Sequence, residues 1–192
     1  RQLRETVVVV VSRVAGAQLS PCTIIFIPAM NPCPCGYFGH PDQTCVCDAK
    51  TVRRYLNRIS GPMLDRIDLH VEVAPVQFHE LHSAVKRESS AQIRQRVNAA
   101  RKIQQQRYRN IGISCNARLT PALVRRFCEL EPAARSFLQE AFDRLGLSAR
   151  GHDRILKVAR TLADLQGAQN IGRAHVAQAV QLRSLDRKYW PS

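Results

Sequence analysis

The 192-residue chain has no long apolar run. Its two best candidates, "VVVVV" at 7–11 and "TIIFIPAM" at 23–30, fall well short of the roughly 20 apolar residues that a membrane-spanning helix needs. No N-terminal stretch joins a basic segment, an apolar segment and a small-residue cleavage site. A cytoplasmic protein that neither spans nor targets a membrane is therefore expected. Cys-x-x-Cys is absent, which removes thioredoxin-type redox chemistry. Also absent are a Gly-x-x-x-x-Gly-Lys-[Ser/Thr] phosphate loop and an apolar strand ending in the acidic pair that holds Mg²⁺. Alone, the chain is not expected to hydrolyse ATP. It has no tandem repeats and no low-complexity segments. Acidic residues are scarce, with 15 Asp and Glu against 29 Lys and Arg.

That imbalance, a formal charge of +14, is unevenly placed. Residues 1–80 hold 8 basic against 7 acidic side chains, and residues 81–192 hold 21 against 8. A field of that sign attracts polyanions, nucleic acid first. The densest cluster is Arg94, Arg96, Arg101, Lys102, Arg107 and Arg109, which predicts salt-dependent DNA binding; the bland alternative is a solvated helix surface.

Seven cysteines without an export signal favour thiols or metal over disulfides. Four of them, Cys33, Cys35, Cys45 and Cys47, form two Cys-x-Cys pairs in "NPCPCGYFGHPDQTCVC". Gly36, Gly39 and Pro41 allow the loop to reverse and bring the pairs together. The set can supply four thiolates to a structural Zn²⁺, remain as free thiols, or pair as disulfides, and His40 is a competing ligand. Cys22, Cys115 and Cys128 stand alone as core or surface thiols.

Periodicity changes along the chain. The β-branched run "TVVVVVSRV", a turn at "AGAQLSP" and a second run "CTIIFIPAM" predict a hairpin feeding a buried strand, and "IDLHVEV" predicts another strand. Between them "AKTVRRYLNRIS" reads as a helix, and "GPMLDR" breaks and restarts the chain. After a linker near residues 72–83 the signals are helical. Ile93, Val97, Ala100 and Ile103 keep helical spacing, and Thr120 before Pro121 is an N-cap with proline at the first position. Three more helices lie in 131–146, 148–167 and 172–183. Stripes at Leu123 and Phe127, at Phe137, Ala141 and Leu145, and at Ile155, Val158 and Leu162 imply a small bundle. The expected class is α/β followed by all-α.

Asn31, after the apolar run, lies where open α/β sheets place ligands and can orient a water or a phosphate oxygen; the plainer reading is a turn residue before Pro32. Three blocks then occur in fixed order: "MNPCPCGYFG", "RISGPMLDRIDLHVEV" and "SARGHDRILKVARTLADL". Together they resemble the magnesium-chelatase-like group of AAA+ ATPases, and within it the bacterial ComM/YifB proteins.

The resemblance implies the carboxyl-terminal half of an AAA+ (P-loop NTPase) α/β core over residues 1–75, a linker at 76–85 and a helical lid over 86–192. It implies that Asn31 is the sensor 1 residue near the γ-phosphate, Arg66 the arginine finger, and Arg150, with Arg154 as a second candidate, the sensor 2 arginine. The hairpin around Arg13 corresponds to an insertion that touches DNA. ATP with Mg²⁺ as cofactors, DNA as partner and a hexameric ring of identical subunits follow from the same resemblance, as does an ATP-driven motor that migrates DNA branches. The phosphate loop and Mg²⁺ ligands would then precede residue 1 in a longer protein. Two rivals remain: a chelatase-type motor subunit acting on a protein partner, and a non-enzymatic zinc-stapled DNA-binding module. For Arg66 the plain alternative is an ion pair with Asp65 or Asp68 beside it.

Overall fold

The computed structural model describes residues 8–13, 16–21, 25–76 and 88–183. The chain divides into two compact units, Arg1–Ser60 and Gly61–Ser192.

In the first unit, strand β1 (Val8–Arg13) pairs antiparallel with β2 (Gly16–Pro21), in a register that runs from Val8 opposite Pro21 to Arg13 opposite Gly16. The hairpin is where the β-branched run predicts it. The segment expected as its turn is instead the returning strand, because Arg13 already faces Gly16 and the reversal is complete before "GAQLSP" begins. Helix α1 (Ala49–Leu56) starts at Asp48, whose carboxylate accepts the Thr51 N–H at 2.7 Å. It buries Val52 and Leu56, one turn apart.

Among the described residues the two further strands are not formed. Residues 25–30 and 67–73 carry no regular structure, and among the described residues the hairpin supplies the only strands. Ile25 and Ile27 are 87% and 86% exposed and Val73 is 86% exposed, so these side chains do not enter a core. A β-branched run fits a pleated, half-covered surface, and that preference is realised only when a neighbouring strand supplies the ladder. The helical half of the expected architecture is present; an α/β sheet is not shown.

The second unit opens with the short helix α2 (Gly61–Leu64) and continues with α3 (Ser90–Tyr108), a 3₁₀ turn (Asn116–Arg118), α4 (Pro121–Phe127), α5 (Pro132–Leu145), α6 (Ala149–Leu165) and α7 (Arg173–Gln181). The caps are those the sequence predicts. Thr120 accepts the Leu123 N–H ahead of Pro121, Ser148 accepts the Gly151 N–H, and α5 stops at Gly146 in the left-handed region. Gly151 looks like a weak point so early in a helix. A side chain there would meet the capping Ser148 Oγ at 3.3 Å, so the glycine keeps the cap in place.

Helix α6 lies at the centre, packed on α3, α4, α7 and the 3₁₀ turn. With neighbours on several sides its buried arc is broad, taking in Ile155, Leu156, Ala159 and Ala163. Of the residues read from spacing, Ala141 and Ile155 are buried as expected, and the rest of the stripes are off-centre. Leu123, Phe127, Phe137, Val158 and Leu162 flank the core half-buried, whereas Val124, Leu138 and Leu156 enter it.

A polar cluster crosses this core. Asp164 accepts bidentate hydrogen bonds from Arg107 of α3, a bond from Arg160 Nε at 3.1 Å and one from Asn116 Nδ2 at 2.9 Å. Asn116 in turn accepts the Tyr108 hydroxyl at 2.7 Å, and Arg160 caps the carbonyls of Ala168 and Gln169. Burial pushes the Arg160 guanidinium down in pKa, with Asp164 opposing. At the less buried Arg107, burial also lowers it, but the bonds to Asp164 prevail and the net shift is upward. Both stay charged at neutral pH.

Candidate functional site

The four-cysteine loop is built by two turns. Gly36 N–H donates to Cys33 O and His40 N–H to Tyr37 O, each at 3.1 Å. Gly36 and Gly39 take φ of +86° and +79°, where a side chain would be strained. The loop then runs directly into α1 through its cap Asp48, whose carboxyl the Thr51 hydroxyl and N–H hold below the usual range.

The Sγ of Cys33 lies 3.3 Å from that of Cys35 and 3.7 Å from that of Cys45, and Cys35 and Cys45 are 3.6 Å apart. With Cys47, the four sulfurs fall within 4.8 Å of one another. Zinc bound at about 2.3 Å by four thiolates places them about 3.8 Å apart, and a disulfide about 2 Å. The thiols are free, so the disulfide alternative is not what forms here. His40 stays outside the group; its Nδ1 accepts the Asp42 N–H at 3.1 Å and its ring packs edge-on to Tyr37.

The electrostatics also call for a cation. A hydrogen bond from the Tyr37 backbone, outweighing burial, lowers the Cys35 thiol from 9.0 to about 6. At Cys45 the Cys47 backbone pulls downward, but burial and the Cys35 and Cys33 sulfurs together push the thiol up to about 12. Cys47 is raised in the same way, against the pull of the Cys35 backbone. One thiolate forms readily and then obstructs the rest, so four anionic ligands coexist only around a positive ion. The cluster fits a metal such as zinc. Reduced, purified protein is expected to carry about one equivalent of zinc per chain by elemental analysis; less than about a quarter would exclude a constitutive site.

The second group of residues surrounds α2. Asp65 accepts Ser148 Oγ at 3.4 Å and faces Arg150 at 3.6 Å and Arg183 at 3.7 Å. Asp68 pairs with Arg154 Nε at 3.0 Å. Arg183 Nη1 donates to Ile67 O, and His70 N–H to Leu182 O, each at 2.7 Å. The segment carrying Arg66 is thereby fastened to the start of α6 and the end of α7. Arg66 itself is half-buried, with Nη1 donating to Pro62 O at 3.0 Å. Its flanking carboxylates go to Arg150, Arg183 and Arg154.

Arg66, Arg150 and Arg154 thus share one region of the second unit. Asn31 and the cysteines belong to the first; Asn31 is exposed, with Nδ2 against Gly36. Arg13 ends β1 opposite Gly16, and its side chain and Cys22 lie outside the described residues. Arg183 has no sequence signal as a fastening residue, since its partners are more than 100 positions away. The basic cluster of α3 is split. Arg107 is committed to Asp164 and Arg96 pairs with Glu88 at 3.1 Å, while Arg94, Arg101 and Lys102 are exposed or nearly so. Among the described residues no helix is long and apolar enough to cross a membrane.

Two family models match the chain: magnesium chelatase, subunit ChlI, over residues 1–81, and magnesium chelatase, subunit ChlI C-terminal, over residues 87–183. The chain belongs to the magnesium chelatase ChlI family. Within this ChlI family its relatives include competence protein ComM of Haemophilus influenzae, 40% identical over 97% of this chain and 36% of the relative. An uncharacterized protein of Mycobacterium tuberculosis is 43% identical over 88% of this chain and 33% of its own length, and YifB of Escherichia coli 40% over 87% and 32%. The chain spans about a third of the length of these curated relatives. ChlI-type proteins are AAA+ ATPases, and the helical unit described above coincides with the ChlI C-terminal match.

Proposed function

We propose that this chain is the carboxyl-terminal portion of an AAA+ motor that hydrolyses ATP to move on DNA, as a branch-migration helicase in recombination or transformation. The observation that supports it best is the fastening of the Arg66 segment to the start of α6 by Asp65–Arg150 and Asp68–Arg154. It links a candidate arginine finger to candidate lid arginines, so that lid position and finger position change together.

In this reading Arg66 reaches the substrate of a neighbouring subunit in a ring and stabilises charge on the transferring phosphoryl group. Asn31 positions the attacking water, and Arg13 on the hairpin contacts DNA. Arg150 and Arg154 sit on aspartates here, so contact with ATP requires them to exchange carboxylate for phosphate. The chain carries no residue set for the phosphate cradle or for Mg²⁺, and no step is assigned to either; they would lie in the two-thirds of the relatives that it does not span. In this reading the AAA+ core and its lid join at a linker over 76–85, which differs from the boundary at Ser60 and Gly61 between the two compact units. The name of the Haemophilus relative, a competence protein, accords with DNA as the partner.

The family description also favours a second reading, a chelatase-type motor acting on a protein partner. ATP turnover by the full-length protein that contains this chain separates the two. Stimulation by DNA is expected. Turnover indifferent to DNA would favour the protein partner, and none at all a non-enzymatic zinc-stapled module.

A further inference from the structure

Helix α3 is supported along only part of its length. Its packing stripe is buried at Ala100, Gln104 and Tyr108, but one and two turns earlier the same stripe exposes Val97 and Ile93, 43% and 42% open. Every residue from 90 to 99 is exposed. The first half of the helix therefore overhangs the core, held by its own capping box, in which Ser89 and Gln92 bond reciprocally.

The face beside that stripe has a distinct composition. At 100° per residue, Arg94, Asn98, Arg101, Lys102, Gln105 and Arg109 fall on one side. No acidic side chain interrupts them. All but Arg109 border one open hollow along the helix. The other basic residues of the segment point elsewhere, Arg96 to Glu88 and Arg107 to Asp164. What remains is a row of unspent cations alternating with side-chain amides.

We infer that this face of α3 is a contact surface for duplex DNA, in which Arg94, Arg101 and Lys102 bind phosphates and Asn98 and Gln105 sit among them as hydrogen-bonding partners. Charge complementarity selects the ligand: cations without acids suit a polyanion, and amides bond either phosphate oxygens or base edges. Shape agrees. A helix about 10–12 Å across fits a major groove about 12 Å wide, provided nothing beside it blocks entry, and residues 90–99 are all exposed among the described residues. Arg94 to Arg109 spans about 22 Å, enough to follow several phosphates. The inference rests on the DNA-motor reading and adds a lid surface to the hairpin contact.

The test is fluorescence anisotropy of a labelled duplex against salt concentration, with full-length protein. The triple variant Arg94→Glu, Arg101→Glu, Lys102→Glu is expected to make the log–log slope shallower by about 2.7, roughly 0.9 for each lost phosphate contact. A control triple, Arg125→Glu, Arg126→Glu, Arg135→Glu, makes the same change of charge on exposed positions of α4 and α5. It should leave the slope near the parent value. Equal effects of the two triples would reduce the first to a general field and overturn the contact, as would an unchanged slope in the α3 variant. A slope change seen only with single-stranded DNA would overturn the duplex assignment. If the unaltered protein does not bind DNA at all, the motor reading fails; if it binds and only the α3 triple is without effect, this inference alone fails. All six positions are on exposed helix surface, so unchanged circular-dichroism melts should accompany either variant.

Discussion

Full-length protein carrying Arg66→Ala is expected to lose ATP turnover by about 10³- to 10⁵-fold, the range over which arginine fingers act in other NTPases, while it still binds nucleotide and folds. The structure makes the second half of that expectation specific. An arginine that served only to neutralise Asp65 and Asp68 would, when removed, loosen the segment. Here those carboxylates are already taken, Asp65 by Arg150 and Arg183 and Asp68 by Arg154. Arg66 Nη1 donates to Pro62 O one turn back, a bond of the kind worth about 1 kcal/mol. Stability close to the parent with turnover abolished is the signature of a group acting elsewhere. Near-normal turnover would remove Arg66 from the chemistry, and loss of fold would return it to a local structural part.

Asp164→Ala should instead destabilise the helical unit, by about 3–5 kcal/mol, because it strands two guanidiniums. Arg160 is 3% exposed and Arg107 is largely covered, and Asp164 is the carboxylate that both share. Asn116 loses an acceptor as well. Asp164→Asn keeps the shape and one acceptor but not the charge, and should fall between the parent and alanine in urea denaturation. A cost below about 1 kcal/mol for alanine would mean that water reaches the arginines and that the cluster is not a sealed core element. The expected loss exceeds that of truncating a half-buried flank such as Val158, whose removal leaves no charge behind.

Much of the helical unit was legible in the sequence because its signals are local. A cap lies within three residues of its partner, so Thr120, Ser148 and Gly146 mark helix ends without reference to the rest of the chain. Arg160 and Asp164 are one turn apart and belong to the same logic. Arg107, 57 positions from Asp164, was read as a surface cation because pairing across the core leaves no trace in spacing. The stripes held at Ala141 and Ile155 and were displaced elsewhere for a related reason: spacing gives the direction of an apolar face, but the width of the face depends on how many neighbours cover it, and α6 has several. Strands fail differently. "TIIFIPAM" and "IDLHVEV" carry real β preference, but a strand is a relation between two segments, and among the described residues neither forms a ladder. The cysteine loop stood out by composition, and geometry narrowed its alternatives by placing the sulfurs at thiolate-cluster rather than disulfide distance and leaving His40 aside. The region around Asp65 and Asp68 was half visible. The arginines expected to matter were identifiable by resemblance, whereas their attachment to the aspartates and to Arg183 depends on the fold.

The most direct measurement of the central claim, that this family member contributes a finger to its neighbour in an ATP-driven ring, is a mixing experiment. Full-length Arg66→Ala protein and full-length protein lacking the phosphate-loop lysine are each expected to be inactive. Mixed rings contain interfaces with an intact phosphate loop on one side and an intact Arg66 on the other, so part of the ATP turnover should return in proportion to such interfaces. Rings shown to be mixed, yet with no recovered turnover at any ratio, would contradict the account.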